Sequence, residues 1–170
     1  MTSKLHLAVR DITWQAVFAA MLIGGKEAMA SLPNIEPVTM LIIAGTLVFG
    51  LKMLASVGAF VLAEGLLYGF GFWFPCYCYM WPLLVIVTWL FRKEEGRVFW
   101  AALAGFFGLS FGFFFELPFL FIIGFKATLA YYISGIPFDI VHAAGNFVLT
   151  FLLLPPILSV LRRLESGRIH

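Results

Sequence analysis

Several apolar stretches in this chain reach the ~20 residues that carry an α-helix across a bilayer. The composition agrees with them. Of 170 residues, 62% are hydrophobic, 18% aromatic and 12% charged, whereas a soluble domain carries roughly 25% charged residues. The mean hydropathy is +1.01. The chain reads as an all-α integral membrane protein, a single transmembrane domain over residues 1–170.

A net charge of +2 with no basic stripe excludes nucleic-acid binding. The apolar segment after Asp11 has the length of a span. No small-residue cleavage site follows a short apolar core, so a removed signal peptide is not expected. Cys76 and Cys78 stand too close for an ordinary disulfide with each other, and one Cys-x-Cys lacks the ligands of a closed zinc site. No metal site is expected. The two thiols read as small apolar filler, or as groups that reach a soft metal carried by a ligand.

Six helical spans are expected, at Asp11–Ser31, Val38–Leu54, Ala55–Phe72, Cys76–Phe91, Arg97–Ile123 and Phe138–Leu161. Pro33 and Pro37, "GFGFWFP" at Gly69–Pro75 and "SGIP" at Ser134–Pro137 supply breaks, because proline withholds a backbone donor. The segment Arg97–Pro137 is too long for one crossing at ~1.5 Å per residue. A helix kinked at Pro118 and an outer loop holding Tyr131 and Tyr132 are therefore expected there. With the amino terminus cytoplasmic, the inner side gathers Lys4, Arg10, Lys52, Arg92, Lys93, Arg97, Arg162, Arg163 and Arg168. Only Lys26 and Lys126 of the 11 basic residues are left over. The positive-inside rule then puts both termini on the cytoplasmic side of the membrane.

Ionisable residues at membrane depth are costly and by default face an interior or a cavity. By helical rise, Lys26 lies ~22 Å from Asp11 and Glu116 ~28 Å from Arg97. Glu64 falls near mid-depth. Asp139, His142 and Asn146 open the last span on one face, at spacings of three and four. These groups crowd the outer half, while a proton or ion relay needs polar groups through the full depth. A pocket open to the outside fits better, with Lys26 and Glu27 near its wall and the Pro33–Pro37 connection, carrying Asn34 and Glu36, as a lid. Other readings stand beside this one. Lys26 can snorkel to the headgroups, Asp139 can cap a helix start, and Glu64 and Glu116 can be paired or protonated structural groups.

The run "YGFGFWFPCYCYMW" from Tyr68 to Trp81 has a double reading. Tyr and Trp populate interfacial belts. A loop holding Trp73, Tyr77, Tyr79 and Trp81 also offers flat faces with polar tips, suited to a ring-bearing ligand. In "AVFAA", Ala16 and Ala20 stand four apart, a spacing that lets another helix approach closely.

Together these residues resemble the S components of energy-coupling-factor (ECF) vitamin transporters, over essentially the whole chain. The resemblance rests on Ala16-x-x-x-Ala20, "LPNIEPVT" at Leu32–Thr39, "GLLYGFGFW" with "YCYMWP" between Gly65 and Pro82, and "GIPFDIVHAAGNF" at Gly135–Phe147. It implies a six-helix subunit that captures a vitamin outside. The partners implied are a transmembrane coupling subunit and two cytoplasmic ATPases, which alone use ATP and Mg. It also implies that Ala16 and Ala20 meet the coupling subunit and that Leu32–Val38 gates the pocket. The chain itself has no phosphate-binding loop of the G-x-x-x-x-G-K-[ST] type and needs no cofactor of its own. The pattern is most similar to the cobalamin-type S components, with pantothenate, hydroxymethylpyrimidine and riboflavin as the other substrates of related subunits. A small intramembrane enzyme is the reading from a different class. It would need an acidic metal cluster or a Ser–His pair, and neither is evident. No catalytic residue is expected.

Overall fold

The computed structural model describes the backbone of residues 2–167 and the side chains of residues 9–167. The Lys4 side chain and Arg168, both counted above as inner charges, lie outside the described residues. The chain forms α1 (Thr2–Ala28), α2 (Val38–Phe49), α3 (Met53–Tyr68), α4 (Phe74–Leu90), α5 (Arg97–Glu116), a single turn α6 (Phe119–Ile122) and α7 (Phe125–Glu165). No strand occurs among the described residues. By length and composition, Arg97–Ile122 and Phe125–Glu165 can each cross a membrane, Val38–Tyr68 is equally apolar but divided by a turn, and Phe74–Leu90 is a shorter apolar helix. The architecture is that of an all-helical protein compatible with a bilayer.

The stretch Val38–Tyr68 is two helices folded back on each other. Gly50 adopts φ +63°, a left-handed conformation that glycine enters at little cost, and a 3₁₀ turn over Gly50–Lys52 completes the reversal. The contacts give the directions. Pro37 packs against Gly25, while Phe49 meets Trp14 and Phe18 with ring centroids 5.3 Å apart. So α2 runs antiparallel to α1. Then α3 climbs parallel to α1 along a side-chain ladder of constant offset: Lys52 with Asp11, Ser56 with Gln15, Tyr68 with Glu27.

The closest helix pair is α5 with α7. Gly105, Gly108 and Gly112 present a bare backbone to α7. A Cβ on Gly108 would stand 2.9 Å from the carbonyl of His142, and one on Gly105 would stand 3.3 Å from that of Ala143. The pair is antiparallel, since Gly112 meets Asp139 and Arg97 lies over Phe151. Buried apolar residues such as Phe18, Leu22, Ile42, Met53, Phe60 and Leu84 fill the centre of the bundle. One end carries the Gly50–Lys52 turn, the Phe91–Gly96 connection and Arg162–Arg163. This is the basic end, and the α1–α2 connection lies at the opposite, far end.

Two sequence expectations change. The expected break at Ser134–Pro137 and the loop around Tyr131 and Tyr132 do not occur, because α7 is continuous from Phe125 to Glu165 with Pro137, Pro155 and Pro156 inside it. Proline removes one i→i−4 bond, but α7 is packed on both sides of Pro137. Tyr132 lies against Phe113 and Tyr131 stacks on Phe119 before it, and Asp139 and His142 seat on α5 after it. The expected aromatic loop is likewise helix from Phe74 onward. Pro75 sits in the first turn of α4, where no intrahelical donor is required of it. The break at Pro118 is real, falling between α5 and α6.

Candidate functional site

At the far end a cavity of about 260 Å³ opens beneath the α1–α2 connection. Its roof is the segment from Met29 to Glu36, and its walls come from Lys26, Tyr77, Trp81, Phe111, Asp139 and His142. The roof is a tight turn. Ile35 N–H donates to the Leu32 carbonyl at 3.2 Å, and Asn34 between them takes φ +59°. Asn is among the few non-glycine residues that tolerate this region. Gly145 on α7 allows the roof to rest there, with the Asn34 carbonyl 3.5 Å from where its Cβ would be.

Glu36 ties the roof to two helices. Its carboxylate accepts from the backbone N–H of Val38, from that of Thr39 at 3.3 Å and from the Thr39 hydroxyl at 2.8 Å. It therefore caps the start of α2, where free N–H groups and the helix dipole favour an anion. The same carboxylate lies 3.4 Å from His142 Nε2. Asn146, one turn further along α7, donates from Nδ2 to Thr39 Oγ1 at 3.1 Å. A chain of polar contacts results, from Asn146 through Thr39 and Glu36 to His142. Thr39 and Asn146 are fully buried, so the bond between them forms in a low dielectric and is costly to break.

Trp73, just ahead of α4, and Tyr77 and Trp81 on α4 stand four residues apart and stack edge to face, with centroids 5.0 and 5.5 Å apart. Phe111 bridges this wall to α7, 5.6 Å from Trp81 and 5.1 Å from His142. Asp139 accepts from the Gly112 backbone N–H at 3.1 Å. Its second oxygen and the Trp81 indole N–H have no hydrogen-bond partner among the described residues.

Lys26 reaches across to α3. Its ammonium pairs with the buried Glu64, lies 3.5 Å from Glu27 and sits 4.3 Å from the Tyr68 ring centroid. Tyr68 donates its hydroxyl to Glu27 at 2.6 Å, on the outer side of α1 and α3.

Of the residues singled out from sequence, Lys26, Asn34, Glu36, Tyr77, Trp81, Asp139 and His142 line the cavity. Tyr68, Trp73, Tyr79 and Asn146 do not border it. Tyr79 points off the aromatic face and donates to the Phe114 carbonyl, and Trp73 backs Tyr77 from outside. Asn146 holds Thr39 from behind. Ala16 and Ala20 are exposed on the outer face of α1, opposite the buried Phe18, Ala19 and Leu22. Cys76 is buried and donates its thiol to the Phe115 carbonyl at 3.0 Å, while Cys78 is exposed. Sequence reading missed Thr39, Phe111 and the glycines of α5. The pattern Gly108-x-x-x-Gly112 was the available signal for the last of these.

Comparison of the chain with family models, curated proteins and solved structures gives no match.

Proposed function

We propose that the protein is the substrate-binding S component of an ECF-type vitamin importer, a six-span bundle with both termini cytoplasmic. Its pocket is the far-end cavity, the Leu32–Val38 connection is its lid, and Ala16 and Ala20 form the docking face for a coupling subunit. ATP hydrolysis resides in partner ATPases. The observation that carries the reading is the cavity itself. A short connection roofs it, an aromatic wall of Tyr77, Trp81 and Phe111 flanks it, and it lies opposite the end where the Arg92–Arg97 connection and Arg162–Arg163 gather. Pockets of this kind, apolar with a few placed polar groups, are built for small organic ligands.

Resemblance favours cobalamin as the ligand. The cavity volume of about 260 Å³ favours a smaller ring-bearing vitamin, such as hydroxymethylpyrimidine, because a corrinoid fits only after the Leu32–Val38 roof moves. Calorimetric titration of the purified protein with a vitamin panel tests both. Binding of one vitamin is the expected result and names the ligand. Failure of every vitamin to bind would remove the transport reading.

A further inference from the structure

At the basic end lies a second, larger recess of about 820 Å³, unrelated to the far-end cavity. Five cations line it from separate parts of the chain: Arg92 and Lys93 in the α4–α5 connection, Arg97 at the start of α5, and Arg162 and Arg163 near the end of α7. Glu94 and Glu95 are on the same rim. Even so, among the described residues none of the five cations makes an ion pair, whereas Lys52 at the same end pairs with Asp11 at 2.6 Å. Two of the guanidinium groups are held against rings. Arg92 lies 4.1 Å from the Trp89 centroid and Arg97 lies 3.9 Å from that of Phe151. Stacking of this kind fixes a planar fork while leaving edge N–H groups for an anion. The lining also includes apolar residues, the half-buried Leu47 and Leu158 and the buried Trp100 and Leu154. Leu90 and Val98, beside it in sequence, are 62% and 63% exposed.

A cationic recess next to exposed apolar surface matches a molecule with an anionic head and hydrocarbon tails. We propose that this recess binds the phosphate-bearing headgroup of an anionic phospholipid. The arginines contact the phosphate, and the acyl chains lie along the exposed apolar surface of α4 and α5. A solvated basic loop would leave its cations spread outward, whereas here three elements converge on one concavity. The proposal requires the chain to sit in a bilayer and is independent of the transport reading.

The test is titration of the full-length protein in detergent with short-chain phosphatidylglycerol, short-chain phosphatidylcholine and inorganic phosphate, followed by calorimetry. Phosphatidylglycerol should bind and phosphatidylcholine should not. Each basic side chain near a membrane surface contributes roughly fivefold in affinity, so the triple variant Arg92→Gln/Arg162→Gln/Arg163→Gln should lose on the order of 100-fold. The variant Glu94→Gln/Glu95→Gln should tighten binding, because it removes the two rim anions without touching the cations. Inorganic phosphate binding as tightly as the lipid, and lost in the triple variant, would uphold the anion site and make its occupant the free ion. Equal affinity for the two lipids, or unchanged phosphatidylglycerol binding in both variants, would overturn the proposal.

Discussion

His142 on α7 and Glu36 ahead of α2 meet at 3.4 Å across 106 residues of sequence. The carboxylate that reaches His142 also caps α2, so one side chain sets both the start of a helix and the position of the cavity roof. The two duties separate by mutation. Glu36→Ala removes the cap and the latch together, and loss of a carboxylate cap typically costs about 1 kcal/mol. It should lower thermal stability and weaken ligand binding. His142→Ala leaves the cap intact and should weaken ligand binding with a smaller change in melting temperature. Equal melting losses for the two variants would show that the cap is not a separate contribution.

Lys26 and Glu64 form the second cross-helix pair, joining α1 to α3. Glu64 is only 1% exposed, so removing its partner strands a charge where it is poorly solvated. Breaking a buried pair on one side costs about 3–5 kcal/mol, while replacing both partners with apolar residues is often neutral. Lys26→Met should therefore destabilise the protein more than Lys26→Met/Glu64→Met. Thermal unfolding in detergent checks this. A double variant no more stable than Lys26→Met would mean that the pair does not govern Glu64.

Gly108 and Gly24 make opposite predictions for the same substitution. A Cβ on Gly108 meets the His142 backbone at 2.9 Å, which cannot swing aside, whereas nothing lies within 4 Å of one on Gly24. Gly108→Ala should cost ~1–3 kcal/mol through overpacking, and it should also shift His142 and weaken ligand binding. Gly24→Ala should be neutral or stabilising by up to ~1 kcal/mol, since alanine loses less entropy in a helix. Melting curves that rank the two alike would contradict the α5–α7 geometry.

Most of the bundle was legible because apolar length and charged or glycine-rich breaks are local signals. The starts of α2 at Val38 and α5 at Arg97 follow from Pro37 and from the charged run before Arg97. The course of α7 was not legible, because Pro137 is a local signal that tertiary packing overrides. The aromatic run was misread as a loop through the weight given to Gly69, Gly71 and Pro75. The spacing of Trp73, Tyr77 and Trp81 already had the period of a helix face. At the site, the shared face of Asp139, His142 and Asn146 was legible from spacing. The pairing of His142 with Glu36, and the dependence of Asn146 on Thr39, were not. Nothing in a sequence states which residues meet across a hundred others.

Ala16 and Ala20 are exposed, so bulk there should be tolerated by the fold. Ala16→Trp and Ala20→Trp should keep the wild-type melting temperature and ligand affinity. On the proposed docking face, each should weaken pull-down of a coupling subunit, because close helix approach excludes large side chains. Undiminished pull-down for both would move the docking surface elsewhere.

Asn34 offers the sharpest separation of structure from recognition, because its backbone and side chain can be tested apart. The residue holds φ +59° in the roof of the cavity and is among those lining it. Glycine accepts that backbone freely, whereas alanine in a left-handed conformation costs about 1 kcal/mol or more. Asn34→Ala should therefore lower the melting temperature, and Asn34→Gly should nearly preserve it. If the amide also hydrogen-bonds a ligand, both variants lose that bond. A buried hydrogen bond is worth ~1–3 kcal/mol, or roughly a five- to hundred-fold rise in the dissociation constant. Parallel thermal melts and calorimetric titrations of the two variants give four readings, which the two roles fill differently. Wild-type affinity in Asn34→Gly, with weakened affinity in Asn34→Ala, would assign Asn34 to the turn alone and leave recognition to the aromatic wall and α7.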